Sequence, residues 1–161
     1  MRTLLLAAAL LGLAVPAAAQ NAGQIASAQR GASCPGCNLF QADLTGVEAR
    51  GRNFSGARLR QAWLTASVLN AANFSRADLR DVDAYGGVFS QASFSGANLT
   101  NSSWVGAYLE GSNFRRATLT GANFSGAEMR RVTGLTQGQL NSACGDEATV
   151  LPAGLRIPAC R

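Results

Sequence analysis

Hydrophobic residues recur at every fifth position along most of this chain, a period that fits neither a helix nor a strand. From 37 to 131 the sequence divides into nineteen five-residue units without an insertion. Almost every unit is centred on Leu, Phe or another large apolar residue, and six of the seven Phe fall in this phase. Two positions before the centre stands a small side chain in sixteen of the nineteen units, the exceptions being Val47, Val82 and Arg52. The residues between are mostly polar, so one position in five points to a core and the small one fits a corner beside it.

A longer period lies inside the short one. Taking every fourth centre gives Leu39, Leu59, Leu79, Leu99 and Leu119 in one column and Phe54, Phe74, Phe94 and Phe114 in another. The other two columns are mixed: Leu44, Leu64, Ala84, Trp104, Phe124; and Ala49, Leu69, Phe89, Leu109, Met129. Two pure columns at a spacing of twenty imply that each residue lies above the one twenty earlier. The coil therefore has four sides, and with about 4.8 Å between stacked strands nearly five coils make a rod on the order of 24 Å long. Ala49 and Ala84 predict thin places in the core, and Arg52 must turn outward or lie at the open first coil.

The runs Ala42-Asp43-Leu44, Ala77-Asp78-Leu79, Ala97-Asn98-Leu99 and Ala122-Asn123-Phe124 carry a motif of small residue, Asp or Asn, then Leu or Phe. In this the chain resembles the pentapeptide-repeat family, over about 95 of its 161 residues. The resemblance implies an all-β fold, a right-handed quadrilateral β-helix of about five coils. It implies little about function, because one fold hosts many unrelated roles.

A solenoid leaves unpaired edges and a cross-section of core at each end, so both ends need covers. Residues 1–19 have a short positive start, twelve apolar residues, Pro16 and Ala17-Ala18-Ala19, the layout of a cleaved signal peptide. That run is too short for a permanent span, and no later run is long enough once it is removed. Residues 20–36 are then the lead-in, with 20–33 either a short helix or a loose segment. The solenoid occupies 37–131, and 132–161 form the C-terminal cap. Thr136 with Gln139 makes a capping box, and Leu135 with Leu140 a hydrophobic staple, predicting a short helix over 136–143.

Four cysteines in an exported chain read as disulfides. They flank the repeat block in two pairs, Cys34–Cys37 and Cys144–Cys160, and the second would close a loop contributing roughly 3 kcal/mol. Cys34-Pro35-Gly36-Cys37 also has the spacing of a redox motif, so a thiol-disulfide protein is the alternative reading. Redox pairs of that kind open a helix, whereas this pair runs into the first coil.

All fourteen basic residues are Arg, with no Lys or His, and the net charge is +5. Without His the commonest general base and metal ligand are missing. The acids occur singly, no phosphate loop is present, and no cofactor or metal site is expected; the chain reads as non-enzymatic. A DNA-mimicking rod would need to be strongly negative, which this one is not. Arg58, Arg60, Arg76 and Arg80 fall near one another, but without interleaved aromatics they do not make a nucleic-acid site.

Two surface features are candidates for binding. Val68, Val88 and Tyr108 form an outward vertical row, with Trp63, Tyr85 and Val105 on the neighbouring side, an apolar patch suited to a partner protein, an envelope component or a second copy. On the Phe-column side, Asn53, Asn73, Ser93 and Asn113 with Ser55, Ser75 and Ser95 make flat polar rows suited to a glycan, or even ice. The expected molecule is an exported bacterial scaffold or interaction module, periplasmic or secreted. Binding of an anionic envelope polymer or glycan through the Arg or Asn/Ser rows is the further alternative.

Overall fold

The computed structural model describes residues 20–161; the expected signal peptide, 1–19, lies outside them. Helix α1, Ala22–Gln29, comes first, and α2, Gln137–Leu140, follows the repeats. Between them the backbone climbs in steps of twenty: Asn38 bridges Arg58, Arg58 bridges Asp78, and Asp78 bridges Asn98, all in parallel. The same register runs up the other three sides, from Asp43, Glu48 and Asn53. We number the sides 1 to 4 by their first centres, Leu39, Leu44, Ala49 and Phe54.

Each unit forms four kinds of backbone bond, one of them from the residue two after the centre to the coil above (Gln41 N to Arg60 O, 3.0 Å). The centre donates to the coil above (Leu39 N to Arg58 O, 2.8 Å), and the residue before a centre donates to the coil below (Arg58 N to Cys37 O, 2.8 Å). A turn bond such as Ala42 N to Leu39 O, 3.1 Å, then rounds the corner. The strands are single-residue bridges and not continuous runs, because a corner follows every centre. That corner is a left-handed residue two after the centre, for example Gln41 at φ 54° and Gly46 at φ 67°. Glycine fills half of the corners from 36 to 131, since a side chain in that region costs roughly 1 kcal/mol.

Both pure columns are fully interior. Phe54, Phe74, Phe94 and Phe114 stack with centroids 5.4, 5.5 and 5.0 Å apart, and the five Leu of side 1 are buried. Ala84 lies under Trp104 in its column, and Trp104 meets Phe89 and Phe94 edge-on at 5.0 and 5.1 Å. A Cβ at Gly87 would come 2.5 Å from the Phe89 ring, so the missing side chain there leaves room for the ring. The buried Trp104 Nε1 donates to Ser102 Oγ at 2.7 Å, and Ser102 Oγ donates to Leu99 O at 2.5 Å. A hydroxyl in the small-residue slot thus satisfies the one polar atom of a large core ring. Arg52, the misfit in that slot, is exposed while its carbonyl still accepts from Asn73 N.

The lead-in is a helix, where the sequence left helix and loose segment open. Asn21 caps it by accepting from Gln24 N at 3.1 Å, and Ala-rich residues continue it. Gly31 ends it at φ 74°, where a Cβ would strike Glu48 O at 2.5 Å. At the far end α2 has the expected capping box but stops at Leu140, shorter than 136–143. It stops because Cys144 returns to the ladder, bridging Asn123, and Val150 then bridges Glu128. Leu140 is buried, and Leu135 packs against the core. Cys34 and Cys37 lie at disulfide distance (S–S 1.94 Å), as do Cys144 and Cys160 (1.99 Å). No helix among the described residues is long and apolar enough to cross a membrane.

Candidate partner surface

A square tube turns alternate residues outward, and the position before each centre is both bridged and solvent-facing. On side 3 this puts Val68 beside Val88 and Val88 beside Tyr108 in one ladder. The valines are half-buried, and Tyr108 is 54% exposed. Glu48 and Glu128 close the row at its two ends, ion-paired to Arg50 and Arg130 at 3.2 and 3.1 Å. Acids and bases balance on this side.

Side 2 differs. Tyr85 follows the centre Ala84 and has Val105 above it, with Gly86 N donating to Val105 O at 2.9 Å. Trp63 stands in the neighbouring ladder of the same side, between Asp43 and Asp83. The expected group of Trp63, Tyr85 and Val105 therefore shares a side but not a column, and two carboxylates interrupt it. Trp63 is 48% and Tyr85 59% exposed, and with Tyr108 they are the exposed large hydrophobic residues of the described chain. Ring contacts among the described residues involve none of the three, so their faces are open.

The carboxylates of side 2 are tied down locally. Asp43 Oδ1 accepts from Thr45 N at 3.0 Å, and Asp83 Oδ1 from Tyr85 N at 3.0 Å. The bond from the Thr45 amide, helped by the Thr45 hydroxyl, holds the Asp43 carboxyl below its usual value despite slight desolvation. Units 42–46, 62–66, 82–86, 102–106 and 122–126 contain Asp43 and Asp83 and no Arg. Above them an open groove of about 370 Å³ is lined by Ser125, Asp146, Glu147, Ile157 and Cys160 among others. Side 2 is an aromatic surface of negative sign.

The other candidates take different places. Arg60 pairs with Asp81 at 3.3 Å and Arg80 with Asp78 at 2.7 Å, while Arg58 sits 5.7 Å from the Phe40 ring centroid. Of the expected cationic group, Arg60 and Arg80 are thus neutralised, Arg58 is not in an ion pair among the described residues, and Arg76 falls on side 4. Cys34 and Cys37 are 5% and 8% exposed and lead into a coil, so they do not open a helix as redox pairs of this spacing do. The sequence reading missed the left-handed corner, although glycine at five-residue spacing signals it.

The four-sided register and its motif meet their counterpart in known proteins. This chain belongs to the pentapeptide-repeat family: the model for pentapeptide repeats matches residues 30–61, 53–91 and 92–131, in eight copies. That family is generally structural or interaction-mediating, and its architecture is the right-handed quadrilateral β-helix. Among solved structures, a pentapeptide repeat protein from the cyanobacterium Cyanothece is 28% identical, with 65% of this chain and 64% of that one covered, TM-score 0.43. HetL, a pentapeptide repeat protein involved in heterocyst differentiation regulation in Nostoc, is 21% identical, with 75% and 65% covered, TM-score 0.48. A pentapeptide repeat protein of the Arabidopsis thaliana thylakoid lumen is 35% identical, with 62% and 66% covered, TM-score 0.34. The chain thus spans just under two thirds of each of these structures. Comparison with curated proteins returns no match.

Proposed function

We propose that this chain is a non-enzymatic scaffold, exported through the signal peptide of residues 1–19, that engages a protein partner through sides 2 and 3. The observation that carries this reading is the confinement of Trp63, Tyr85 and Tyr108, the exposed large rings among the described residues, to two adjoining sides of the rod, the other rings being interior except Phe40, which is half-buried beneath Arg58. Aromatic residues held open on a stiff ladder lose little entropy on docking, which suits them to anchor an interface. Val68, Val88 and Val105 supply the flat apolar ground between them. Asp43 and Asp83 favour a partner carrying basic residues around an apolar centre. Both cysteine pairs are oxidised in this reading, which places the protein in the periplasm or outside the cell.

The test is cross-linking. A photoreactive residue at Tyr85 should capture one protein saturably from envelope extract, and Trp63→Ser with Tyr108→Ser should abolish that capture. Equal recovery by the double variant removes this surface from consideration. Sedimentation of the protein alone distinguishes a second copy from another partner, since only self-association depends on its own concentration.

A further inference from the structure

Side 4 lies opposite the acidic side 2 and has the reverse character. Its units, 52–56, 72–76, 92–96 and 112–116, hold Arg52, Arg76, Arg115 and Arg116 and no acid. All four are exposed, and none is in an ion pair among the described residues, whereas Arg50, Arg60, Arg80, Arg130 and Arg131 each have a carboxylate. Apart from Arg58 on side 1, the uncompensated positive charge of the coils is therefore concentrated here.

The ground between the arginines is a regular row of polar groups. Asn53, Asn73, Ser93 and Asn113 bridge one another up the side. Each Asn turns its Oδ1 back to the amide two residues on: Ser55 N at 3.0 Å, Ser75 N at 2.9 Å and Arg115 N at 2.9 Å. That fixes the side chains and leaves the Nδ2 donors without a bond among the described residues. Asn53 and Asn73 set these donors one ladder step of about 4.8 Å apart, close to the rise per sugar of an extended linear polysaccharide, and Asn113 adds a third two steps on. Between them Ser93 contributes a hydroxyl that shares a bond with Ser75 Oγ at 2.9 Å. Arg76 and Arg116 occupy the same corner two coils apart, and the Arg76 side chain lies along Gly96 between them, its Cγ 3.4 Å from where a Cβ would stand. At the C-terminal end Arg115 and Arg116 line an open groove of about 490 Å³ with Gly134, Thr136 and Gln139.

We infer that side 4 binds a linear carboxylated polysaccharide laid along the rod, about one sugar per coil. Asn Nδ2 groups and Ser hydroxyls would meet sugar hydroxyls, and the corner arginines the carboxylates. The surface disfavours nucleic acid and anionic membranes. Units 52–116 of this side present no exposed aromatic on which bases could stack, and no exposed apolar residue that could enter a bilayer. The site is independent of the aromatic surface, so failure of that reading leaves it standing.

The probe is sodium polygalacturonate, with neutral dextran, oligodeoxythymidine and phosphatidylglycerol vesicles in parallel arms. Polygalacturonate should bind at low salt, weaken as salt rises, and exceed the other three. Arg76→Gln with Arg116→Gln should weaken it about tenfold, while Arg50→Gln with Arg131→Gln, which removes the same charge from side 3, should change it less than about twofold. Gln is the safe replacement at a corner, because Gln41, Gln61 and Gln91 already hold left-handed φ there. Asn73→Ala with Asn113→Ala should weaken binding without altering its salt dependence. Equal weakening by the two arginine pairs, tighter binding of oligonucleotide or vesicles, or no polygalacturonate binding would each overturn the inference. So would self-association of the protein that Arg76→Gln with Arg116→Gln abolishes, since side 4 would then serve side 2 of a second copy.

Discussion

The two ends of the rod solve one problem by different means. Each must satisfy the ladder groups that the neighbouring coil would have met. At the N-terminal end polar side chains stand in for backbone. Gln24 Oε1 accepts from Asn38 N at 2.7 Å, Ser33 Oγ from Asn53 N at 3.0 Å, and Gln29 Nε2 donates to Asp43 O at 2.9 Å. At the C-terminal end side chains such as Gln139 and Asp146 do the same, but backbone itself also returns: Cys144 and Val150 bridge Asn123 and Glu128 as fragments of a further coil. Side-chain mimicry is local and needs few residues, whereas a partial coil needs a long tail that must be held down. The cysteines follow that difference, separated by 3 positions at the first end and 16 at the second.

The largest test of this contrast is removal of the bridges. Cys144→Ala with Cys160→Ala should lower stability by about 3 kcal/mol, and Cys34→Ala with Cys37→Ala by about 2, as read from urea unfolding. A reversed order would mean that the short ring, and not the long tail, holds the rod closed. Next comes Gln139→Ala. Its Nε2 donates to Phe114 O and Ala117 O at 2.9 and 2.8 Å, and its Oε1 accepts from Thr136 N at 2.9 Å. Losing the plug and the capping box together should cost about 2 kcal/mol. An effect below about 0.5 kcal/mol would show that water replaces the plug at no loss.

How much of this could be read beforehand follows from periodicity. Phe74 between Phe54 and Phe94 was legible because a twenty-residue repeat leaves one register in which identical rings stack. Arg52 was legible as an outward misfit for the same reason. The Thr136 capping box was legible because it is local. Gln24 and Gln29 were not: their partners, Asn38 and Asp43, are fourteen residues away and outside any repeat. The surface was legible only in part. Tyr108 above Val88 and Trp63 between Asp43 and Asp83 both follow from the twenty-residue arithmetic, but how far each ring stands open to solvent does not. The neutralised Arg60 and Arg80 likewise depended on side-chain geometry that spacing does not contain.

A smaller effect sharpens the mimicry itself. Gln24→Ala leaves the Asn38 amide without its Oε1 acceptor in a part-buried setting, and should cost about 1 kcal/mol. Gln29→Ala removes a bond at an exposed carbonyl that water can reach, so it should cost less. Hydrogen exchange at the Asn38 amide should accelerate in the first variant while amides from 74 onward keep their protection. Acceleration along the whole rod would mean that the first coil is needed to hold the rest, and the two ends would not be independent.

The smallest difference lies in acid. The N-terminal cap is made of amide and hydroxyl side chains, which do not titrate in this range. The C-terminal cap contains Asp146, whose Oδ1 accepts from Gly126 N at 2.8 Å, Ala148 N at 3.1 Å and Thr149 Oγ1 at 3.1 Å. The Gly126 amide is the main cause that holds this carboxyl below its usual 3.8; desolvation opposes it, and Thr149 and Ala148 add smaller lowering bonds. Asp78 is lowered too, chiefly by its bond to the Arg80 guanidinium. A carboxyl lowered by folding contributes stability that is fully present above its unfolded value and is lost as pH falls through its folded value. The C-terminal cap should therefore be unaffected above about pH 5 and loosen below about pH 4. Exchange at the Gly126 and Ala148 amides should rise there while Asn38 and Asn53 stay protected. Asp146→Asn should flatten the acid response of Gly126 and leave that of the Arg80 amide, beside Asp78, intact. If both ends loosen together, or if Asp146→Asn tracks the parent protein, the ends share one stability, and the division between borrowed side chains and returning backbone has no thermodynamic content.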